Sequence, residues 1–526
     1  MTRAAVLAVA FCSALALGSQ VALAGDRDER PKKTTATQGQ GSIGDVFEGV
    51  GGWFSDDDES GRPIDALGEG KDFAGIAARR ALSIRILHGY ATGLMQYPGF
   101  GDYANSVLNR LIAAIPVRNL PARVYMVASG NFSAGAMPCG AIALDWGLLR
   151  GLRFEDELAF VLAHELGHVV FRHHRADYFV EAQHYAITTA SLTERISARL
   201  SGVTGGQPLV AGNDLDRSIR IGKVVQKVSE GLLLPAWSRE QEDEADRFAI
   251  DVLVRASYNH ASALSFFVAL EAWEGRRETA EDEETAALIA EYVQGGAIDT
   301  TSRESLLDGL IGITEIAAAK LGGSSHYPAA ERRKRIQQYI VETYASARLA
   351  PRTPAPWLPG GSRDLGRAHA QFESAAQSLQ SLGSGNPGEA AKLAALVTCP
   401  RCEGTGAMSA EGFPRFAFYN VRRAAGEADK AKANLDLALK AAKPGVLFWK
   451  ERMLIAESEG KLAEAAALLD EARRRLDDPP ALIPDRIRIY PKVGRAQEAT
   501  PLLVECELQW REMADECEAE GKRLAI

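Results

Sequence analysis

The sequence predicts a mainly α-helical protein with one small β-sheet, in which a compact helical domain is followed by an α-solenoid of paired helices. Three observations carry this expectation. From about Phe73 to Ala345 apolar residues recur largely with helical spacing, interrupted by one β section from Val124 to Leu144 that holds Val124-Tyr125-Met126-Val127 and Ala141-Ile142-Ala143-Leu144. In the C-terminal part, Gly426, Gly460 and Gly494 stand 34 residues apart. Between the two parts, residues 351–362 carry four prolines and two glycines and read as a linker.

At 526 residues the chain is too long for one core and suits two or three domains. Hydrophobic residues at 46% and charged residues at 25% are ordinary for a globular protein. A net charge of -9, with no long Lys/Arg run, argues against nucleic acid as the main partner, because phosphate binding needs a basic surface. Residues 1–24 read as a secretory signal: Arg3, an apolar stretch from Ala4 to about Leu17, then Ala22-Leu23-Ala24. The alternative is an N-terminal membrane anchor. No later run reaches about 18 apolar residues, so the expectation is an exported protein without a transmembrane span after signal removal, periplasmic in a Gram-negative cell. Residues 25–72, with the run Asp56-Asp57-Asp58-Glu59, read as disordered. Residues 73–345 then form the first folded domain, 346–410 a linker and helical connector, and 411–526 the repeats.

The repeat has a physical basis. Five residues after each of the three glycines lies an alanine (Ala431, Ala465, Ala499), and twelve after each lies a small residue (Ala438, Ala472, Cys506). Small side chains let paired helices approach closely, and stacked pairs bury a shared core. The period resembles tetratricopeptide repeats, which implies a concave surface for peptides or an envelope protein partner.

Cys139, Cys399, Cys402, Cys506 and Cys517 follow the signal, an odd number. Cys399-Pro400-Arg401-Cys402 supplies only two thiolates where structural zinc takes four ligands; the reading is a local disulfide in a loop. Cys506 and Cys517 are expected about three turns apart on one helix, too far to bond.

The chemistry concentrates in two segments. His164-Glu165-Leu166-Gly167-His168 places two imidazoles at i and i+4 on one helix face, with Glu165 beside them to take a proton from a metal-bound water. A bare pattern of this kind also arises where two histidines are merely packed. A third ligand strengthens the metal reading. In Ser238-Arg239-Glu240-Gln241-Glu242-Asp243-Glu244-Ala245-Asp246, Ser238 and Gln241 form a capping box for a second helix. Glu242, Ala245, Asp246 and Ala249 share one face, and the alanines let that face approach the first helix. Glu242 then completes a three-ligand zinc site with His164 and His168, and Asp246 can accept an imidazole N–H. Asp243 and Glu244 read as a solvated face.

These two segments together resemble metallopeptidase family forty-eight, the HtpX-like and CAAX-prenyl-protease-like zinc peptidases. The likeness runs from about Ala74 to Tyr344 and takes in Asn131, Gly140, Gly147-Leu148-Leu149, Asp156-Glu157-Leu158 and Arg172-His173. It also takes in His326-Tyr327-Pro328 and Arg332. The resemblance implies a zincin-type (gluzincin) domain holding one zinc ion per subunit, with an edge strand that pairs with extended polypeptide substrates. It implies that His326 and Arg332 line the active site, Arg332 to steady the oxyanion, and that His173 is structural support. Joined to an export signal and helical repeats, it implies quality control of unfolded or misassembled envelope proteins. The alternative is a repeat-based scaffold whose metal site is latent. The segment from Arg175 to Trp237 has amphipathic stretches that could form a lid.

Overall fold

The computed structural model describes residues 61–68, 70–89, 92–173, 238–275, 328–398, 406–509 and 514–523. The signal, His326, Cys399-Cys402 and the expected lid lie outside the described residues.

The described residues are mainly helical, with two small sheets. In one, β1 (Lys71–Asp72) pairs in parallel with β2 (Val117–Arg118). In the other, β3 (Arg123–Val127), β4 (Ala134–Ala136) and β5 (Ala141–Asp145) take the order β3-β5-β4, with β3 parallel and β4 antiparallel to β5. All five residues of β5 are buried, as a central strand covered on both faces requires. Among the described residues, β4 has no strand beyond it and is an edge of the sheet.

Helices α1 (Arg80–His88) and α2 (Pro98–Ala113) precede the sheet. α2 opens on Pro98, whose fixed φ suits a first helical turn. It buries Phe100, Ala104, Val107, Leu108 and Leu111, a stripe at spacings of three and four. After the sheet come α3 (Glu155–Val170), α4 (Arg239–Arg255), a helical stretch at 262–275, and α5 (Ala329–Tyr344).

Two expectations need correction. Residues 61–68 and 70–72 are not disordered: Ile64 and Leu67 are buried on α4, and the Ile64 N–H donates to Asp251 Oδ2 at 3.2 Å. The polar composition of 25–72 conceals this short apolar anchor. Residues 351–362 are not a loose linker either. The Glu155 N–H at the start of α3 donates to Thr353 O (2.8 Å), the Thr353 N–H to Asp156 Oδ2 (2.8 Å), and the Ala355 N–H to Arg153 O (2.9 Å). Trp357 is buried beside Phe100 and Tyr103 and donates Nε1–H to Leu149 O. Proline here stiffens a strap whose apolar residues are docked.

Beyond the strap the chain forms helical hairpins: α6 (Arg363–Gly383) with α7 (Pro387–Thr398), α8 (Gly412–Ala424) with α9 (Ala428–Ala438), α10 (Val446–Ser458) with α11 (Leu462–Arg475), and α12 (Ile483–Ile489) with α13 (Ala496–Gln509). α14 (Ala514–Arg523) closes the series. The three glycines of the 34-residue period sit in the hairpin turns at φ 73°, 72° and 79°, a left-handed conformation that glycine adopts without strain. Ala431, Ala438, Ala465, Ala472, Ala499 and Cys506 are all buried. The α6–α7 hairpin also turns on a glycine, Gly385 at φ 73°, but falls outside the 34-residue register and was not expected as a repeat.

Cys506 and Cys517 form a disulfide, with Cα atoms 6.5 Å apart, against the expectation that they could not bond. They do not share one helix: Cys506 is on α13 and Cys517 on α14, and these helices pack against each other.

The hairpins meet the sheet through residues 93–95. The Met95 N–H donates to Met126 O (2.8 Å), the Ala128 N–H to Gly93 O (3.0 Å), and the Leu94 N–H to Lys443 O (3.2 Å). A Cβ on Gly93 would lie 2.5 Å from the Gly445 nitrogen, so only glycine permits this approach.

Candidate metal centre

Two helices build the site. The first turn of α3 carries Glu155, Asp156 and Glu157, matching the positive end of the helix dipole. All three carboxylates are engaged: Glu155 by Tyr103 and Tyr258, Asp156 by the backbone N–H groups of Asn259 and Thr353, and Glu157 by the N–H groups of Arg153 and Phe154. α4 starts on the expected capping box, with the Gln241 N–H donating to Ser238 Oγ and the Ser238 N–H to Gln241 Oε1. The helices cross closely at Gly167, where a Cβ would lie 3.2 Å from Ala245 Cα and 3.1 Å from Phe248 Cδ1. Gly167 lies between the two histidines, and Ala245 between Glu242 and Asp246. This approach brings the four side chains together.

His164 Nε2 lies 3.1 Å from His168 Nε2 and 3.6 Å from Glu242 Oε2, while His168 Nε2 lies 3.5 Å from Glu242 Oε1. Ligand atoms held at about 2.0–2.2 Å from a tetrahedral zinc stand roughly 3.4 Å from one another, so these residues fit such an ion. All three side chains are buried. Converging buried donors with these spacings are costly unless they share a cation.

The surroundings complete the electrostatics. His164 Nδ1 lies 2.9 Å from Asp246 Oδ1. Arg332, on α5, forks onto Asp246 with Nε–H to Oδ2 at 2.8 Å and Nη2–H to Oδ1 at 2.7 Å, and places Nη1 3.2 Å from Glu242 Oε2. Burial works against charge on Asp246, but Arg332 and His164 outweigh it and hold its pKa below the usual carboxylate range. Glu165 is buried, and this pushes its pKa up to about 7; His164 opposes the rise and the Glu242 charge adds to it. The Ala136 backbone N–H, on edge strand β4, donates to the Glu165 carboxylate.

The structure thus brings together His164, Glu165, His168, Glu242, Asp246 and Arg332. His173 is buried at the end of α3, with Nδ1 2.8 Å from His168 Nδ1. Glu244 and Asp243 do not form a bare solvated face. Glu244 Oε2 lies 2.8 Å from His173 Nε2, and Asp243 accepts from Arg335 at 2.7 Å.

Over residues 102–340 the chain matches the model of peptidase family M48. That stretch is a metallopeptidase domain of this family. It is also similar to a putative beta-barrel assembly-enhancing protease of Vibrio cholerae, at 27% identity over 173 residues, or 33% of each chain. To the metalloprotease YcaL of Escherichia coli the identity is 33% over 155 residues, 30% of this chain and 52% of that one. To the mitochondrial metalloendopeptidase OMA1 of Schizosaccharomyces pombe it is 29% over 174 residues, 33% of this chain and 45% of that one. The chain therefore spans between a third and about half of the length of these relatives. Among the described residues, no helix of the M48 domain or of the hairpins is long and apolar enough to cross a membrane.

Proposed function

We propose that this chain is a zinc-dependent endopeptidase of the cell envelope that cleaves unfolded or misassembled proteins. One observation carries the proposal: three buried donors from His164, His168 and Glu242 converge at tetrahedral spacing, with the buried Glu165 carboxyl beside them. In this reading the domain is a gluzincin and the hairpins are tetratricopeptide-like repeats that present partner proteins. The disulfide between Cys506 and Cys517 fits an oxidising compartment such as the periplasm, reached through the signal at residues 1–24.

Zinc bound there would lower the pKa of a coordinated water towards ~7 and polarise the scissile carbonyl. The chain's own residues do the rest. His164 and His168 present Nε2, and Glu242 its carboxylate. Glu165 takes the proton of the attacking water on its carboxylate and returns it to the leaving amine. Asp246 fixes the ring of His164. Arg332 neutralises Glu242 and Asp246 and so orients both; with its guanidinium occupied in this way, its first role is to hold ligands, ahead of any contact with the oxyanion. On β4, Ser133 O and the Met137 N–H face β5, so the alternation of an antiparallel ladder turns the backbone of Ala134 and Ala136 away from β5, to the side where the Ala136 N–H meets the Glu165 carboxylate. An extended substrate can add as a strand there, next to Glu165.

The test is zinc content and casein cleavage of the full chain and of Glu165→Gln. The expected result is one zinc per chain in both, with cleavage abolished in the variant. Unchanged cleavage in Glu165→Gln refutes the mechanism. Zinc without cleavage in either protein favours the scaffold with a latent site.

A further inference from the structure

We propose that Glu244, acting through His173, is a positioning residue that fixes the tautomer of His168 and thereby the grip of the site on its metal. The inference rests on the metal-site reading above and assigns a function to a side chain outside the ligand set.

The local backbone makes the relay. At the end of α3, Arg172 adopts φ 57°, a left-handed turn, and the His173 N–H donates to His168 O at 3.1 Å. This folds His173 back beneath the ring it follows by five residues. Its ring packs against Phe171, with centroids 5.8 Å apart, and Gln241 Nε2–H reaches its carbonyl at 3.4 Å. The imidazole is thus held at its backbone and along its face.

One direction of these hydrogen bonds leaves the metal-facing nitrogen of His168 without a proton. An ionised carboxylate accepts and does not donate. Glu244 Oε2, 2.8 Å from His173 Nε2, therefore requires the proton on that nitrogen. In this direction His173 Nδ1, which lies 2.8 Å from His168 Nδ1, accepts its N–H. With its proton on Nδ1, His168 turns the lone pair of Nε2 towards His164 Nε2 and Glu242 Oε1. Reversing any link puts a proton on the nitrogen that faces the metal. Asp246 gives His164 the same orientation directly; His168 receives it from a carboxylate one imidazole further away. Partners of this kind to metal-bound histidines are worth 10–100-fold in metal affinity.

The test uses the zinc-loaded full chain and competition with a chromogenic chelator. Glu244→Ala should weaken zinc binding roughly 10–100-fold. Its side chain is 38% exposed, so the fold tolerates the change. His173→Ala should weaken zinc similarly, and the double variant should be no weaker than His173→Ala alone, because the two act in series. Glu240→Ala, which removes a charge from the exposed start of the same helix, should leave zinc affinity unchanged. In the zinc-free protein, imidazole 15N shifts should report a single Nδ1–H tautomer for His168 in the wild type and a mixture in Glu244→Ala. Wild-type affinity in Glu244→Ala, an equal loss in Glu240→Ala, or an unchanged His168 tautomer would each overturn the relay and leave the metal site standing. A wild-type chain that takes up no zinc would overturn the site itself.

Discussion

Replacing Arg332 by methionine removes the guanidinium that, among the described residues, neutralises Asp246 and Glu242. Both carboxylates are only 1% exposed, and the Arg332 side chain is 11% exposed. Three charged contacts between 2.7 and 3.2 Å disappear together, and so does the stacking of the guanidinium over the Phe267 ring, 5.1 Å from its centroid. Breaking a buried pair from one side leaves uncompensated charge and costs roughly 3–5 kcal/mol. That is a large part of the roughly 5–15 kcal/mol that holds an ordinary domain together. A zinc ion beside Glu242 supplies positive charge to the same cluster, so the deficit should shrink when metal is bound. Urea unfolding of wild type and Arg332→Met, each with chelator and with excess zinc, separates the two conditions. The expected result is a loss of about 3–5 kcal/mol without metal and a clearly smaller loss with it. Arg332→Lys should fall between, because a single ammonium cannot fork onto Asp246. A metal-free loss below about 1 kcal/mol, the size of an exposed pair, would show that Arg332 is not the counter-charge of the site.

Glu411 offers a pH test away from the metal. Burial pushes its pKa up to about 7, against an ordinary value of 4.5, although the Gln96 N–H donates to it. The folded state therefore keeps the proton longer than the unfolded state. Its contribution is complete below pH 4.5 and is lost as pH rises through about 7, a change on the order of 3 kcal/mol. Glu411→Gln, which still accepts from Gln96, should flatten the stability profile over that range; an identical slope in the variant would refute the assignment. The Cys506–Cys517 bond closes a loop with a sequence separation of 11, worth about 3 kcal/mol in chain entropy. A non-reduced digest should yield the two peptides joined, and reductant should expose α14 to proteolysis. Separate peptides from protein kept under oxidising conditions would remove that bond from the account.

The site was legible because its geometry is local. His164 and His168 need only helical periodicity to share a face, and Glu242 with Asp246 needs the same rule on a helix whose start is announced by Ser238 and Gln241. The alanines of that face gave the approach, and Gly167 completes it. Glu244 was missed because its own helix gives no reason to turn inward; its partner His173 arrives only through the left-handed turn at Arg172. The hairpin glycines were legible through their period, whereas Gly385 turns its hairpin in another register. The disulfide was hidden by a helix break that spacing alone did not reveal. The strap at 351–362 and the anchor at Ile64 and Leu67 share one cause: composition averaged over a polar stretch masks the few apolar residues that dock it.

The strap has a consequence for modularity. Glu155, Asp156 and Arg153 at the head of α3 take backbone partners from Thr353 and Ala355, and Trp357 seals α2 against Leu149. The smallest autonomous proteolytic unit is therefore longer than the family match. It must begin before Ile64 and run past Trp357, and a shorter excision would leave the entrance of that helix without its clasp. Grafting the hairpins onto another peptidase would fail for the same reason unless the clasp travelled with them.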